Sequence, residues 1–99
     1  MLGLGDRHAA PYAHFTLGQL ALAQNNPQAA NEHFSQSMQR AQHNDDPYMV
    51  AYAQRALAQA LLADHQEAQA MQHLQAALTL FRQLDIPGEV QATQALLGD

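Results

Sequence analysis

The apolar residues of this chain recur three or four positions apart, and short polar segments interrupt them at regular intervals. Two stripes with the same internal spacing are Ala13, Leu17, Leu20 and Ala21, and then Ala53, Leu57, Ala60 and Leu61. This spacing matches one face of an α-helix, whereas a strand would alternate apolar and polar residues. The pattern therefore predicts five helices, at about residues 7–24, 27–43, 47–64, 67–83 and 87–97.

The polar segments carry the signals that start helices. Asn26 and Asp46 each stand before a proline, so a capping side chain precedes a residue that suits the first helical position. Acidic residues in the segments 64–67 and 85–89 favour two further starts, because they complement the helix dipole. The first start is ambiguous. Asp6 would be its cap by register, but Pro11 would then lie inside the helix, so either the helix begins near Ala10 or its first turn is distorted.

The sequence repeats itself at a distance of 40 residues. Shifted by that distance, matching residues include Tyr12 and Tyr52, Leu17 and Leu57, Leu22 and Leu62, Ala30 and Ala70, His33 and His73, and Pro47 and Pro87. Periods of about 20 to 50 residues are typical of stacked repeat proteins, in which each unit buries its apolar face against a neighbour. The short connections favour antiparallel helix pairs. We therefore expect an all-α solenoid, with repeats at about 7–46 and 47–86 and a partial third repeat at 87–99.

The repeat resembles the tetratricopeptide (TPR) family in particular residues. Leu17-Gly18, Ala30 and Phe34 have the spacing of its signature, in which a Leu-Gly pair packs against an alanine and an aromatic residue. The second unit matches more loosely, with Leu57-Ala58, Ala70, Leu74 and Ala77, and Leu96-Leu97-Gly98 restarts the pattern. The usual TPR repeat is about 34 residues long. The longer repeat, and the linking segments 47–51 and 80–87, are similar to the kinesin-light-chain-like subgroup.

This resemblance implies a right-handed superhelix whose concave face, formed by the first helix of each repeat, binds peptides of other proteins. Carried onto this chain, the family's ligand positions are Tyr12, Phe15, Gln19, Leu22, Tyr52, Arg55, Gln59 and Leu62. Tyrosine and arginine are favoured at interfaces, and glutamine can hydrogen-bond a peptide backbone. An alternative is that Tyr12 and Tyr52 only pack between adjacent first helices.

Two further expectations concern the core and the ends. Leu17, Phe34, Leu57 and Leu74 should be almost fully buried as signature positions. By repeat phase, residues 1–5 read as the tail of a preceding unit and residues 98–99 end within a first helix, so we expect a fragment of a larger protein. Alternatively, the fifth helix is a cap. If it is not, Val90, Leu96 and Leu97 would leave an apolar edge through which two copies could dimerise, fifth helix against fifth helix.

Composition narrows the classes of partner. The 99 residues carry a formal charge of −5 and no lysine, and the four arginines are scattered singly, so no basic stripe for nucleic acid is present. No apolar run approaches the length of a membrane span. Cysteine is absent, which excludes disulfides and fits a reducing compartment. We therefore expect a soluble, cytoplasmic protein that binds neither nucleic acid nor membrane.

The sequence offers no clear catalytic or metal-binding motif. None of the six histidines is paired at the i, i+4 spacing of a helical metal site, and no phosphate-binding glycine loop is recognisable. His33 and His73 occupy equivalent repeat positions, which favours a shared packing or surface role. We expect no enzyme activity, metal or cofactor. The predicted function is a protein-interaction module, a scaffold or sensor of a regulatory protein, and the alternative is a structural dimerisation element.

Overall fold

The computed structural model describes residues 4–98 of the chain and the side chains of residues 11–98. Five helices form, with no strand in this range: α1 (Leu4–Ala23), α2 (Pro27–His43), α3 (Pro47–Ala63), α4 (Glu67–Gln83) and α5 (Pro87–Leu97). Each helix packs against the next one, and α1 also contacts α3. The predicted all-α fold is confirmed. None of the described helices is long and apolar enough to cross a membrane.

Four turns of the same geometry join the helices, one every 20 residues. Each contains a non-glycine residue in the left-handed region, with φ between 54° and 62°: Asn25, Asp45, His65 and Asp85. The next residue donates its N–H to a carbonyl five positions back, for example from Asn26 to Ala21 at 2.8 Å and from Asp46 to Ala41 at 2.9 Å. This pattern satisfies carbonyls at the helix end. The identical turns explain why two helices together give a period of 40 residues.

The helix starts of α2 and α3 have the predicted caps. The Asn26 side chain accepts the N–H of Ala29 at 3.2 Å, and the Asp46 side chain accepts the N–H of Met49 at 3.1 Å. A proline follows each cap. The caps of α4 and α5, Gln66 and Ile86, make no side-chain hydrogen bond. These two helices therefore depend more on packing at their starts.

Of the two alternatives drawn from the sequence, a start near Ala10 is wrong. The helix begins at Leu4, before the predicted residue 7, and continues through Pro11. Residues 1–3 lie outside the described residues. Pro11 is buried, and the Ser37 hydroxyl of α2 donates to its carbonyl at 2.6 Å. Contacts with α2 thus offset the hydrogen bond that proline removes from the helix.

Three of the four predicted core residues are buried, and the fourth is not. Phe34 and Leu74 have no exposed surface, and Leu57 is 3% exposed, whereas Leu17 is 43% exposed. The prediction for Leu17 is therefore wrong. Leu57 lies in a core cluster with Ala30 and Phe34 of α2. No described helix covers the corresponding side of α1.

The same difference extends along α1. Ala13 and Leu20 are exposed, the latter by 53%, whereas their repeat equivalents Ala53 and Ala60 are fully buried. We call Ala13, Leu17 and Leu20 the α1 outer face. It is an apolar surface that repeats the part of α3 buried in the core.

Candidate functional site

A groove forms where the first helices of the repeats lie side by side. Its volume is about 360 Å³. Three helices line it: α1 with Phe15 and Gln19, α3 with Tyr52, Arg55, Ala56 and Gln59, and α5 with Ala92 and Leu96. We call it the first-helix groove. It brings together five of the eight partner-binding residues predicted from the sequence.

The other three predicted residues lie elsewhere. Leu22 and Leu62 are partly buried and pack against the main core cluster. Tyr12 lies in a neighbouring depression, 54% exposed, and its hydroxyl donates to Asp46 at 3.2 Å. Tyr52 differs from Tyr12 because its ring packs edge-on against Phe81, with centroids 5.2 Å apart. The two equivalent tyrosines thus have different environments.

Arg55 is engaged within the protein. One guanidinium nitrogen lies 2.7 Å from a carboxylate oxygen of Glu89, and the other donates to the Thr93 hydroxyl at 3.2 Å. The guanidinium carbon lies 4.9 Å from the centroid of the Phe81 ring, a distance suited to a cation–π interaction. The charge of Arg55 is therefore neutralised locally, and the side chain links α3 to α5.

Tyr52 completes this network. Its hydroxyl donates to the second carboxylate oxygen of Glu89 at 3.3 Å. Burial, followed by the negative charge of Glu89, raises the pKa of Tyr52 above its usual value. The hydroxyl therefore stays protonated and remains a hydrogen-bond donor across the physiological pH range.

The polar groups left open to solvent in the groove are uncharged. Gln19 and Gln59 are exposed, and they occupy equivalent positions of the two repeats. Each amide offers donors and an acceptor, which is what a peptide backbone requires from a binding surface. Phe15, Ala92 and Leu96 add apolar surface. The groove can hydrogen-bond a main chain and accommodate an apolar side chain at the same place.

The neighbouring depression has a different character. Its volume is about 440 Å³, and its lining residues are Tyr12, Asn44, Asp45, Asp46, Pro47 and Tyr48. We call it the Tyr12–Tyr48 depression. The charge of Asp46, followed by burial, raises the pKa of Tyr12 above its usual value. Aromatic rings and carboxylates therefore share one exposed surface.

Several residues of these two surfaces were not predicted from the sequence. Tyr48 precedes Tyr52 by one helical turn and so lies on the same side of α3. The helical register could therefore have predicted its place beside the candidate site. Asp46 was assigned only as a helix cap, although its second oxygen faces Tyr12. Glu89, the partner of Arg55, was assigned only to a helix start, and the repeat gave no signal for its pairing because its equivalent in the preceding repeat is Met49.

The histidines among residues 11–98 do not line these two surfaces, and the two repeats use them differently. Nδ1 of His73 lies 2.6 Å from the side-chain oxygen of Gln54, a hydrogen bond. In the first repeat His14 replaces that glutamine, and its ring lies 5.9 Å from the ring of His33. Both Nδ1 atoms of this pair are buried without a hydrogen-bond partner. Within residues 11–98, no group of three or more potential ligands could hold a metal ion.

Comparison with known proteins gives no relative: no family model, curated protein or solved structure matches the chain. The function is therefore inferred from the surfaces of the protein itself.

Proposed function

We propose that this chain is a TPR-like helical repeat that binds a peptide segment of a partner protein in the first-helix groove. One observation carries the proposal: α1, α3 and α5 all contribute to a single groove that combines two exposed amides with apolar surface. In the proposed architecture this groove is the concave face of a right-handed solenoid. A scaffold or sensor role in a regulatory protein of the cytoplasm would follow from such binding.

The lining of the groove favours a peptide over a charged small molecule. Arg55 is already paired with Glu89, so the described residues that line the groove offer no free cation to an anionic ligand. Gln19 and Gln59 lie on adjacent first helices, where they can bond to successive parts of one main chain. Binding through the backbone would supply affinity, and the apolar surface would select side chains.

Selection from a phage-displayed library of random peptides tests this function. The selected peptides should bind the chain and lose about tenfold or more in affinity to the variant Gln19→Ala/Gln59→Ala, since two hydrogen bonds are removed. Gln69→Ala/Gln72→Ala is the matched control, because these glutamines are also exposed but lie on α4. Failure to select any peptide, or equal binding to both variants, would reject the groove as the site.

A second candidate function is self-association, which the exposure of Leu17 and Leu20 on the α1 outer face favours. The fifth helix is a less suitable contact than expected from the sequence. Leu96 and Leu97 are partly buried against the main core cluster, and Val90 packs against the cluster that contains Phe81. A dimer would therefore form through α1. The concentration dependence of sedimentation distinguishes this function from peptide binding.

A further inference from the structure

The two turns that lead into α3 and α5 have the same backbone but different side chains. The first reads Asp45-Asp46-Pro47-Tyr48 and the second reads Asp85-Ile86-Pro87-Gly88. Asp45 and Asp85 share the left-handed conformation, with φ of 54° and 57°. Only the first turn adds a second carboxylate and an exposed aromatic ring. The Tyr12–Tyr48 depression is therefore a property of one junction, beyond what the repeated turn requires.

The carboxylates of this junction are not paired with any described arginine. Among the described residues, Arg55 is paired with Glu89, and the other two arginines, Arg40 and Arg82, belong to α2 and α4. Asp45 is exposed, and Asp46 faces Tyr12. Within the described part of the chain, Asp45 and Asp46 thus form no ion pair with an arginine. These carboxylates are therefore available to pair with a cation supplied by a ligand.

Aromatic rings strengthen that preference. Tyr12 and Tyr48 are 54% and 52% exposed and lie in the same depression as the carboxylates. A Lys or Arg side chain can place its charge against a tyrosine ring and pack its aliphatic part on the same surface. An acidic side chain would be repelled there. The carboxylates and aromatic rings of the depression thus favour a basic side chain.

The distance to the first-helix groove sets the spacing within a bound peptide. Tyr12 and Gln19 lie on the same helix. Seven residues at a rise of 1.5 Å separate them by about 10 Å along the axis. An extended chain covers that distance in about three residues. One extended segment can therefore reach the Tyr12–Tyr48 depression and the apolar part of the groove together.

We propose that the Tyr12–Tyr48 depression and the first-helix groove together bind one peptide, an inference that rests on the proposed function. A Lys or Arg side chain of the peptide occupies the depression, and an apolar side chain about three residues away occupies the groove. The partner is thus a basic-apolar segment and not an acidic one.

Synthetic peptide pools test the preference. Acetylated and amidated octapeptide pools carry Lys and Leu three positions apart, in either order, and degenerate uncharged residues elsewhere. Matched pools replace Lys by Glu, replace Lys by citrulline with its uncharged head, or replace Leu by Ser. We expect the Lys–Leu pool of one order to bind about three- to tenfold more tightly than its citrulline and serine counterparts. Binding of the Glu pool should be weakest, and the difference should shrink as salt is added.

Variants of the protein locate the preference. Asp45→Asn/Asp46→Asn should reduce the advantage of Lys over citrulline to less than about twofold, because no carboxylate remains. Asn is a good helix cap, so α3 should keep its start. Asp85→Asn is the matched control, since it removes one charge from the equivalent turn, and it should leave the preference unchanged.

The possible outcomes separate the two proposals. If no pool binds and no phage peptide is selected, the proposed function itself is rejected. If pools bind and lose affinity to Gln19→Ala/Gln59→Ala, but Glu binds as well as Lys, the groove stands and the basic preference is overturned. A Lys preference that survives Asp45→Asn/Asp46→Asn would also overturn it, because another surface would then hold the cation.

Discussion

The contact between Gly18 and Phe34 shows how one residue sets the distance between α1 and α2. A Cβ atom added to Gly18 would lie 2.5 Å from the Phe34 ring, closer than van der Waals contact allows. Phe34 has no exposed surface and so has little room to move. In the second repeat, alanine and leucine stand at the equivalent positions, Ala58 and Leu74, and both are fully buried. In the second repeat, the larger residue on the first helix is thus paired with a smaller side chain on the second helix.

We predict that Gly18→Ala destabilises the protein by about 1–3 kcal/mol, because overpacking outweighs the better helix propensity of alanine. Urea unfolding measures the change. The double variant Gly18→Ala/Phe34→Leu reproduces the pair of the second repeat, and it should be more stable than the sum of the single effects allows. Strict additivity of the two substitutions would mean that the ring and residue 18 are not in contact.

Titration of His14 in the first repeat should make stability depend on pH. Burial, followed by the charges of Arg40 and His33, lowers the pKa of His14 in the folded protein. Unfolded histidine titrates near pH 6.5. The folded state thus binds fewer protons at His14, and the stability present above about pH 6.5 is lost as the pH falls through the lower, folded pKa. Burial also lowers the pKa of His73, in the same direction.

We predict that the free energy of unfolding falls between pH 7.5 and pH 5.5, and that His14→Gln makes this fall smaller. The variant recreates the glutamine–histidine pair that the second repeat forms between Gln54 and His73. Urea unfolding at a series of pH values measures both slopes. Equal slopes for the wild type and the variant would show that His14 does not titrate differently in the folded state.

At the scale of elements, local signals predicted most helix boundaries. The bounds of α2, α4 and α5 agree with the prediction, because prolines or turn residues mark their starts and the apolar period marks their length. The alternative start of α1 near Ala10 was wrong for a physical reason. The rule that proline breaks a helix is local, whereas Pro11 is held by the long-range hydrogen bond from Ser37.

The position of α5 depends on a link that no local rule predicts. Glu89 binds both Arg55 and the Tyr52 hydroxyl, and Thr93 of the same helix is fully buried. We predict that Glu89→Gln, which keeps the shape and removes the charge, loosens α5. Its amides should exchange with solvent about tenfold faster, as expected for loss of a hydrogen bond between charged groups.

Glu67→Gln is the matched control for this prediction, because Glu67 is exposed at the start of α4. It should leave exchange in α5 unchanged, and amides of α1 and α2 should not respond to either variant. If Glu89→Gln leaves the exchange of α5 unaltered, the ion pair does not hold this helix and packing of Thr93 and Leu96 suffices.

At the scale of the whole molecule, helical register predicted part of the candidate site. It placed Phe15, Gln19 and their equivalents together, but it also included Leu22 and Leu62, which pack into the core. At 3.6 residues per turn, Leu22 lies only about 20° around the helix from Phe15, so the register could not exclude it. Its contact with the core cluster separates it from the groove. The helical register did not predict that Arg55 forms an ion pair, because its partner Glu89 lies in another repeat.

The exposure of the α1 outer face should make the free energy of unfolding respond differently to the same substitution at two equivalent positions. Leu57→Ala should cost about 2–5 kcal/mol, because the removed atoms leave a cavity beside α2. Leu17→Ala should cost less than about 1 kcal/mol, because its side chain is 43% exposed. Urea unfolding at low protein concentration measures both. A comparable cost at the two positions would mean that the α1 outer face is covered in the isolated chain.

Self-association through the α1 outer face is the prediction that concerns the molecule as a unit. Leu17 and Leu20 expose apolar surface that α3 buries at the equivalent positions, and two copies can cover it by a two-fold contact of α1 with α1. We expect the sedimentation coefficient to rise from micromolar to hundreds of micromolar protein, by mass action. Leu17→Gln/Leu20→Gln should abolish the rise, whereas Tyr48→Gln, which changes another exposed side chain, should not. A wild-type chain that stays monomeric over the whole range would show that a second copy does not cover this face.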